Sequence, residues 1–134
     1  EKARKLLNTT KASIHLIQGD TKKTLPSFVD TFKNTRVFDF IYIDGGHSFE
    51  TIDSDWKYLK SLVTSETIIV FDDYISYFNN KVPDHGCNRV IDHLDKNKWK
   101  ISFLPIKDGV NDYPGPRTIQ MVCVKKNLPK KEGS

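Results

Sequence analysis

The chain has 134 residues, 37% of them hydrophobic and 28% charged, which suffices for one core and is too short for a two-domain enzyme. Its net charge is +4, of which +3 lies in the last ten residues, so the basic balance describes a Lys-rich tail rather than a basic face and no nucleic-acid partner is expected. No run approaches the ~18 apolar residues of a membrane span and no leader reads as a signal peptide, while Cys87 and Cys123 stand alone, which suits a reducing, cytoplasmic setting and excludes a disulfide framework or zinc motif.

Five β-rich runs are predicted in chain order, at residues 13–18, 37–43, 67–71, 100–104 and 118–124. Between the first two, Pro26 opens a helix whose buried face carries Leu25, Phe28, Val29 and Phe32. Between the next two, Ser48 is the expected N-cap of a helix with Phe49, Ile52, Trp56, Leu59 and Val63 on one side. After the third run, Asn88 is read as the cap of a short helix bearing Val90, Ile91 and Leu94. Strand and helix alternate, so an α/β fold is expected with a mostly parallel sheet. The last two runs are separated by a short segment rich in proline and glycine, so the last strand is expected to be antiparallel. Segments 74–87 and 105–117 are predicted as long loops, where specificity elements gather.

In an open parallel sheet, ligands collect beyond the carboxyl ends of the strands. Three of the runs end in acid: IQGD at Asp20, IYID at Asp44, and VFDD at Asp72 and Asp73. Any one of these suits a turn or a helix cap; together they predict a carboxylate rim. Asp44 from one strand with Asp72 and Asp73 from the next would offer hard oxygen ligands to Mg²⁺ or a similar cation. His47 follows Asp44 after a Gly45–Gly46 turn and is a candidate general base, although a histidine at a helix start is as readily a solvated surface residue. His15, His85 and His93 carry no partner signal and are assigned no role; Trp56 and Trp99 are read as core.

The segments IQGDTKKTLPSF, FDFIYIDGGHSFETIDSDW, ETIIVFDDY and TIQMVCVKKN resemble a class I S-adenosylmethionine-dependent methyltransferase over nearly the whole chain. The resemblance implies that Gly19, Asp20, Thr21 and Asp44 contact S-adenosylmethionine. It also implies that Asp44, Asp72 and Asp73 form the divalent-metal site of the catechol-type and macrolide-sugar-type O-methyltransferases. The Asp-x-x-His spacing is closest to the macrolide-sugar members, where His47 would be the base and Asp44 would share the catalytic role.

The glycine-rich loop and first two strands of that Rossmann-like methyltransferase sheet have no counterpart here, so residues 1–124 are read as the later two-thirds of a methyltransferase domain and 125–134 as a flexible basic tail. The helix-like opening EKARKLL carries the expectation of an upstream segment, and the run at 13–18, without its expected neighbours, must pair elsewhere, pair with a second copy of the chain, or expose an edge. The expected activity is metal-assisted O-methylation of a small hydroxylated metabolite or sugar, with no membrane partner. The alternative is a non-catalytic, truncated methyltransferase-fold module used in interaction or assembly. A phosphoryl or glycosyl transferase would need a phosphate cradle that the chain does not supply.

Overall fold

The computed structural model describes residues 5, 7, 9–78, 85–113 and 115–128. Helix α1 spans Thr21–Phe32, strand β1 Phe40–Ile43, and helix α2 Phe49–Leu59, which runs into a single 3₁₀ turn at Lys60–Leu62. Strand β2 spans Ile68–Tyr77, helix α3 Gly86–Asp92, and strands β3 and β4 Trp99–Asp112 and Gly115–Lys126. The four strands form one mixed sheet in the order β1-β2-β4-β3. Only β1 and β2 are parallel, whereas β4 runs antiparallel to both β2 and β3. The α/β class is as expected, and the mostly parallel sheet is corrected to a mixed one.

Side-chain alternation on the strands decides which face is covered. Ile41 and Ile43 of β1 stand in register with Ile69 and Phe71 of β2, which face Val124 and Val122 of β4. All six are buried together with Val29 of α1, Ile52 and Trp56 of α2, and Val90 and Ile91 of α3. Trp56 lies against Phe71 and Trp99, with ring centroids 5.5 and 4.8 Å apart, so both tryptophans belong to the core side, as their spacing suggested. The opposite face keeps Phe40, Tyr42, Ile68 and Met121 exposed.

Local chemistry sets the helix starts. Ser48 caps α2, its Oγ accepting from the Thr51 amide at 3.3 Å. Asp20 caps α1 in the same way, accepting from the Lys22 amide at 3.0 Å, so Pro26 lies inside the helix rather than opening it and withholds one i→i−4 bond. Asn88 is not a cap. The N-cap of α3 is His85, and Asn88, buried inside the helix, donates from Nδ2 to the Ile75 carbonyl at 2.8 Å and accepts at Oδ1 from the Ile75 amide at 2.9 Å. It occupies the side of β2 left open where β1 ends, because β1 pairs only with Ile68–Phe71.

Four further sequence expectations change. Residues 13–18 form no strand and are exposed, because alternation makes a strand only where a neighbour supplies hydrogen bonds. The loop predicted at 105–117 is instead the outer part of a long β3–β4 hairpin, with Asp112 opposite Gly115. Of the loop predicted at 74–87, residues 74–77 continue β2, residues 79–84 lie outside those described, and Gly86–Cys87 begin α3. At the C-terminus, β4 includes Lys125 and Lys126, two residues of the segment read as a tail, and residues 129–134 also lie outside those described.

The paired bonds of Asn88 lead to a stability prediction. Asn88→Leu leaves the Ile75 amide and carbonyl without partners under a buried helix, which costs about 2 kcal/mol. Urea denaturation should show this as a lower midpoint at unchanged slope, and a midpoint equal to that of the parent would show that water reaches Ile75.

Candidate functional site

The parallel register brings the candidate residues together. Ile43, the last residue of β1, pairs with Phe71, so Asp44 leaves the sheet beside Asp72. Between Phe71 and Tyr74 the register of β2 against β4 shifts, and within this bulge Asp73 adopts φ +61°. A left-handed backbone is uncommon for a residue with a side chain, and aspartate tolerates it better than most. The bulge re-aims two consecutive carboxylates at the strand end.

Each carboxylate of the pair has a separate donor. Asp73 Oδ2 lies 2.9 Å from His47 Nδ1, with the Asp73 side chain 29% exposed and that of His47 75% exposed. Asp72 Oδ2 accepts from the Tyr42 hydroxyl, and Asp72 Oδ1 accepts from the Asp73 amide at 2.8 Å. The Tyr42 phenol is pushed up to about 12, first by its bond to Asp72, then by desolvation and by the charges of Asp72, Asp44 and Asp73. The charges of all three carboxylates predicted from sequence therefore reach the Tyr42 phenol.

A close backbone contact holds the turn that carries His47. The Gly86 amide donates to the His47 carbonyl at 3.1 Å. A Cβ on Gly86 would lie 2.6 Å from the Ser48 carbonyl carbon and oxygen and 2.8 Å from the His47 oxygen, so glycine is required for α3 to begin here. The cleft between the turn and α3 is lined by Asp44, His47, Asp72, Asp73, His85 and Cys87 among others. His85 is the group that spacing did not find: it reaches the cleft only through the packing of α3, where its Nε2 lies 3.2 Å from the Tyr77 hydroxyl and its ring stacks on that of Tyr77 at 5.9 Å. Cys87 is a poor nucleophile, since burial, followed by the charges of Asp73, Asp72 and Asp92, pushes its thiol up to about 12.

Asp20 stands apart from this cluster. Its carboxylate caps α1, and among the described residues no hydrogen bond or ion pair joins it to Asp44, Asp72 or Asp73. Gly19 before it has φ +142°, and a Cβ there would meet Thr24 Cγ2 at 2.9 Å, so glycine is required at this turn, while Gly19 and Asp20 themselves are exposed. The metal expectation finds no such support. Among the described residues, no three His, Cys, Asp or Glu side chains are gathered so as to hold an ion, because Asp72 is turned to Tyr42 and Asp73 to His47. The residues as arranged do not fit Mg²⁺.

The sequence profile of a family described as a methyltransferase domain matches residues 1–74. That span includes Gly19, Asp20, Thr21, Asp44, His47, Asp72 and Asp73. Comparison with curated proteins and with solved structures gave no match. No helix among the described residues is long and apolar enough to cross a membrane.

Two outcomes test the geometry. Gly86→Ala forces α3 off the 47–48 backbone, with an overpacking cost of about 2 kcal/mol; the ¹⁵N signals of the His47 ring should shift as it leaves Asp73, and unchanged signals in a folded variant would refute the clamp. In spectrophotometric titration, Tyr42 should ionise near pH 12, and Asp72→Asn should bring it back toward the ordinary tyrosine value of about 10 by removing the carboxylate charge.

Proposed function

From the premise that this chain belongs to the methyltransferase-domain family, we propose that it carries the acceptor-binding part of a site that transfers a methyl group from S-adenosylmethionine to a hydroxyl of a small molecule, a sugar or similar polyol. The observation that carries this reading is the 2.9 Å contact between His47 Nδ1 and Asp73 Oδ2 at the end of the parallel strand pair. A carboxylate can only accept, so the ring nitrogen facing it holds a proton, and in the neutral imidazole the lone pair is then on Nε2. That is the orientation a general base needs, with a third group fixing the tautomer.

Gly19, Asp20, Thr21 and Asp44 would hold the cofactor, and the exposure of Gly19 and Asp20 supports such a role. When bound, S-adenosylmethionine would supply an electrophilic sulfonium methyl group, with the neutral thioether as its leaving group. His47 takes the hydroxyl proton at Nε2 as the oxygen–carbon bond forms, and Asp73 offsets the charge the ring gains. Asp44, in the same rim, is placed to accept a hydrogen bond from a neighbouring hydroxyl of the acceptor. His85 lines the same cleft from the start of α3, its ring held against Tyr77. No step here is assigned to a metal ion.

A second reading, a non-catalytic module that completes an assembly, is favoured by the unpaired, exposed run at 13–18 and by the uncovered apolar sheet face. Calorimetric titration with S-adenosylhomocysteine separates the two, since saturable binding supports the transferase reading and a folded chain that binds none supports the module. In turnover assays against hydroxylated small molecules, His47→Ala should lower the rate by about 10²–10⁴-fold while affinity for S-adenosylhomocysteine stays within about twofold. An equal loss in both would make His47 structural. A strict magnesium requirement for turnover would return Asp44, Asp72 and Asp73 to an ion.

A further inference from the structure

Beneath the turn that joins Asp44 to His47 lies a carboxyl group with no assigned role. Asp55 sits in the second turn of α2, is only 4% exposed, and its Oδ1 has no hydrogen-bond partner. The carboxyl is aimed at the turn: a Cβ on Gly45 would lie 3.0 Å from Asp55 Oδ2, and one on Gly46 would lie 3.4 Å from Thr51 Cγ2, one helical turn earlier. The two glycines therefore let the turn settle directly on the Thr51–Asp55 side of α2. The turn has amides to offer, for Gly45 and Gly46 are exposed and among the described residues neither amide donates to a protein acceptor. The carboxyl whose Oδ2 lies nearest Gly45 thus carries an unmatched buried oxygen, Oδ1, and sits across a contact that admits no side chain from two amides without a protein partner. Burying a polar group without a partner is unfavourable, and a small approach of the turn satisfies both sides at once.

We infer that Asp55 is a positioning residue: its carboxyl accepts from the Gly45–Gly46 amides when the turn closes, and this closure sets the direction in which Asp44 and His47 enter the cleft. Gly86 clamps the far end of the same turn at the His47 carbonyl, so Asp55 and α3 hold it from two sides. Asp55 touches none of the reacting atoms and acts through the backbone. The inference rests on the reading of this turn as the catalytic one, but its first measurement needs no ligand.

The test is amide hydrogen exchange followed by NMR on the full chain, with the His47 ring ¹⁵N signals read in the same samples. In the parent, at least one of the Gly45 and Gly46 amides should exchange tenfold or more slowly than an unstructured amide. Asp55→Leu, which removes the acceptor and keeps the site filled, should abolish this protection and move the His47 ring signals. Asp55→Asn keeps one acceptor oxygen and should retain part of the protection with the ring signals close to those of the parent; should the leucine variant fail to fold, the asparagine variant alone decides, by an exchange rate between the parent and unstructured values. Unprotected glycine amides in the parent, or protection and ring signals unchanged by either folded variant, would overturn the proposal. Adding S-adenosylhomocysteine provides a separate arm: absence of binding defeats the transferase reading and leaves the exchange result standing, whereas binding that is weakened tenfold in Asp55→Leu and restored in Asp55→Asn supports both.

Discussion

The parallel pairing of β1 with β2 is the constraint on which the rest of the site depends. With Ile43 opposite Phe71, the chain leaves β1 where β2 bulges, and Asp44, Asp72 and Asp73 arrive in one place. Like charges at such spacing repel, and the fold meets this by giving two of them separate donors, Tyr42 for Asp72 and His47 for Asp73. The same pairing uses up β1 after four residues. Beyond that point β2 has an open side, which the Asn88 amide fills, and this anchors α3 where its first residue meets the backbone of His47. Register, side-chain satisfaction and helix placement are thus successive consequences of one strand pair.

The antiparallel half of the sheet bends at a single residue. Asp72 and Asp73 of β2, and Leu104, Pro105 and Ile106 of β3, all fall where their strands lose register with β4, and on β4 both irregularities face Met121. Proline is tolerated inside β3 because a bulge needs no ladder donor there, and Gln120 Nε2 donates to the Leu104 carbonyl that the bulge leaves over. The irregularity that turns the acidic pair toward the cleft is therefore mirrored on the other side of β4.

Much of this was legible in the sequence, where the signal was local. Ser48 before an apolar helical stripe, acids closing two apolar runs, and Asp-Gly-Gly-His each state their own structure within a few residues, and the antiparallel return of the last strand followed from the short connection before it. What stayed hidden depended on distant partners. Residues 13–18 alternate as a strand does, yet alternation cannot supply a neighbour. Asn88 precedes an apolar run as a cap would, but its amide is matched to Ile75, thirteen residues away. The outer hairpin holds Pro105, Gly109 and a run of exposed polar residues, so it has no apolar period to read. His85 and Asp55 enter the description of the site only through packing, since neither stands at a strand end.

The double bulge at Met121 also divides the sheet by local stability. On one side the strands lie under α1, α2 and α3, and opening any hydrogen bond there uncovers the core. On the other side, Lys107–Asp112 pairs only with Gly115–Gln120, largely in contact with water. This outer part of β3 can open while Arg117–Gln120 of β4 stays paired with Tyr74–Tyr77 of β2, so it behaves as a cooperative unit of its own. A fluctuation of this edge segment is thereby free to occur while the register that places Asp44, Asp72 and Asp73 persists.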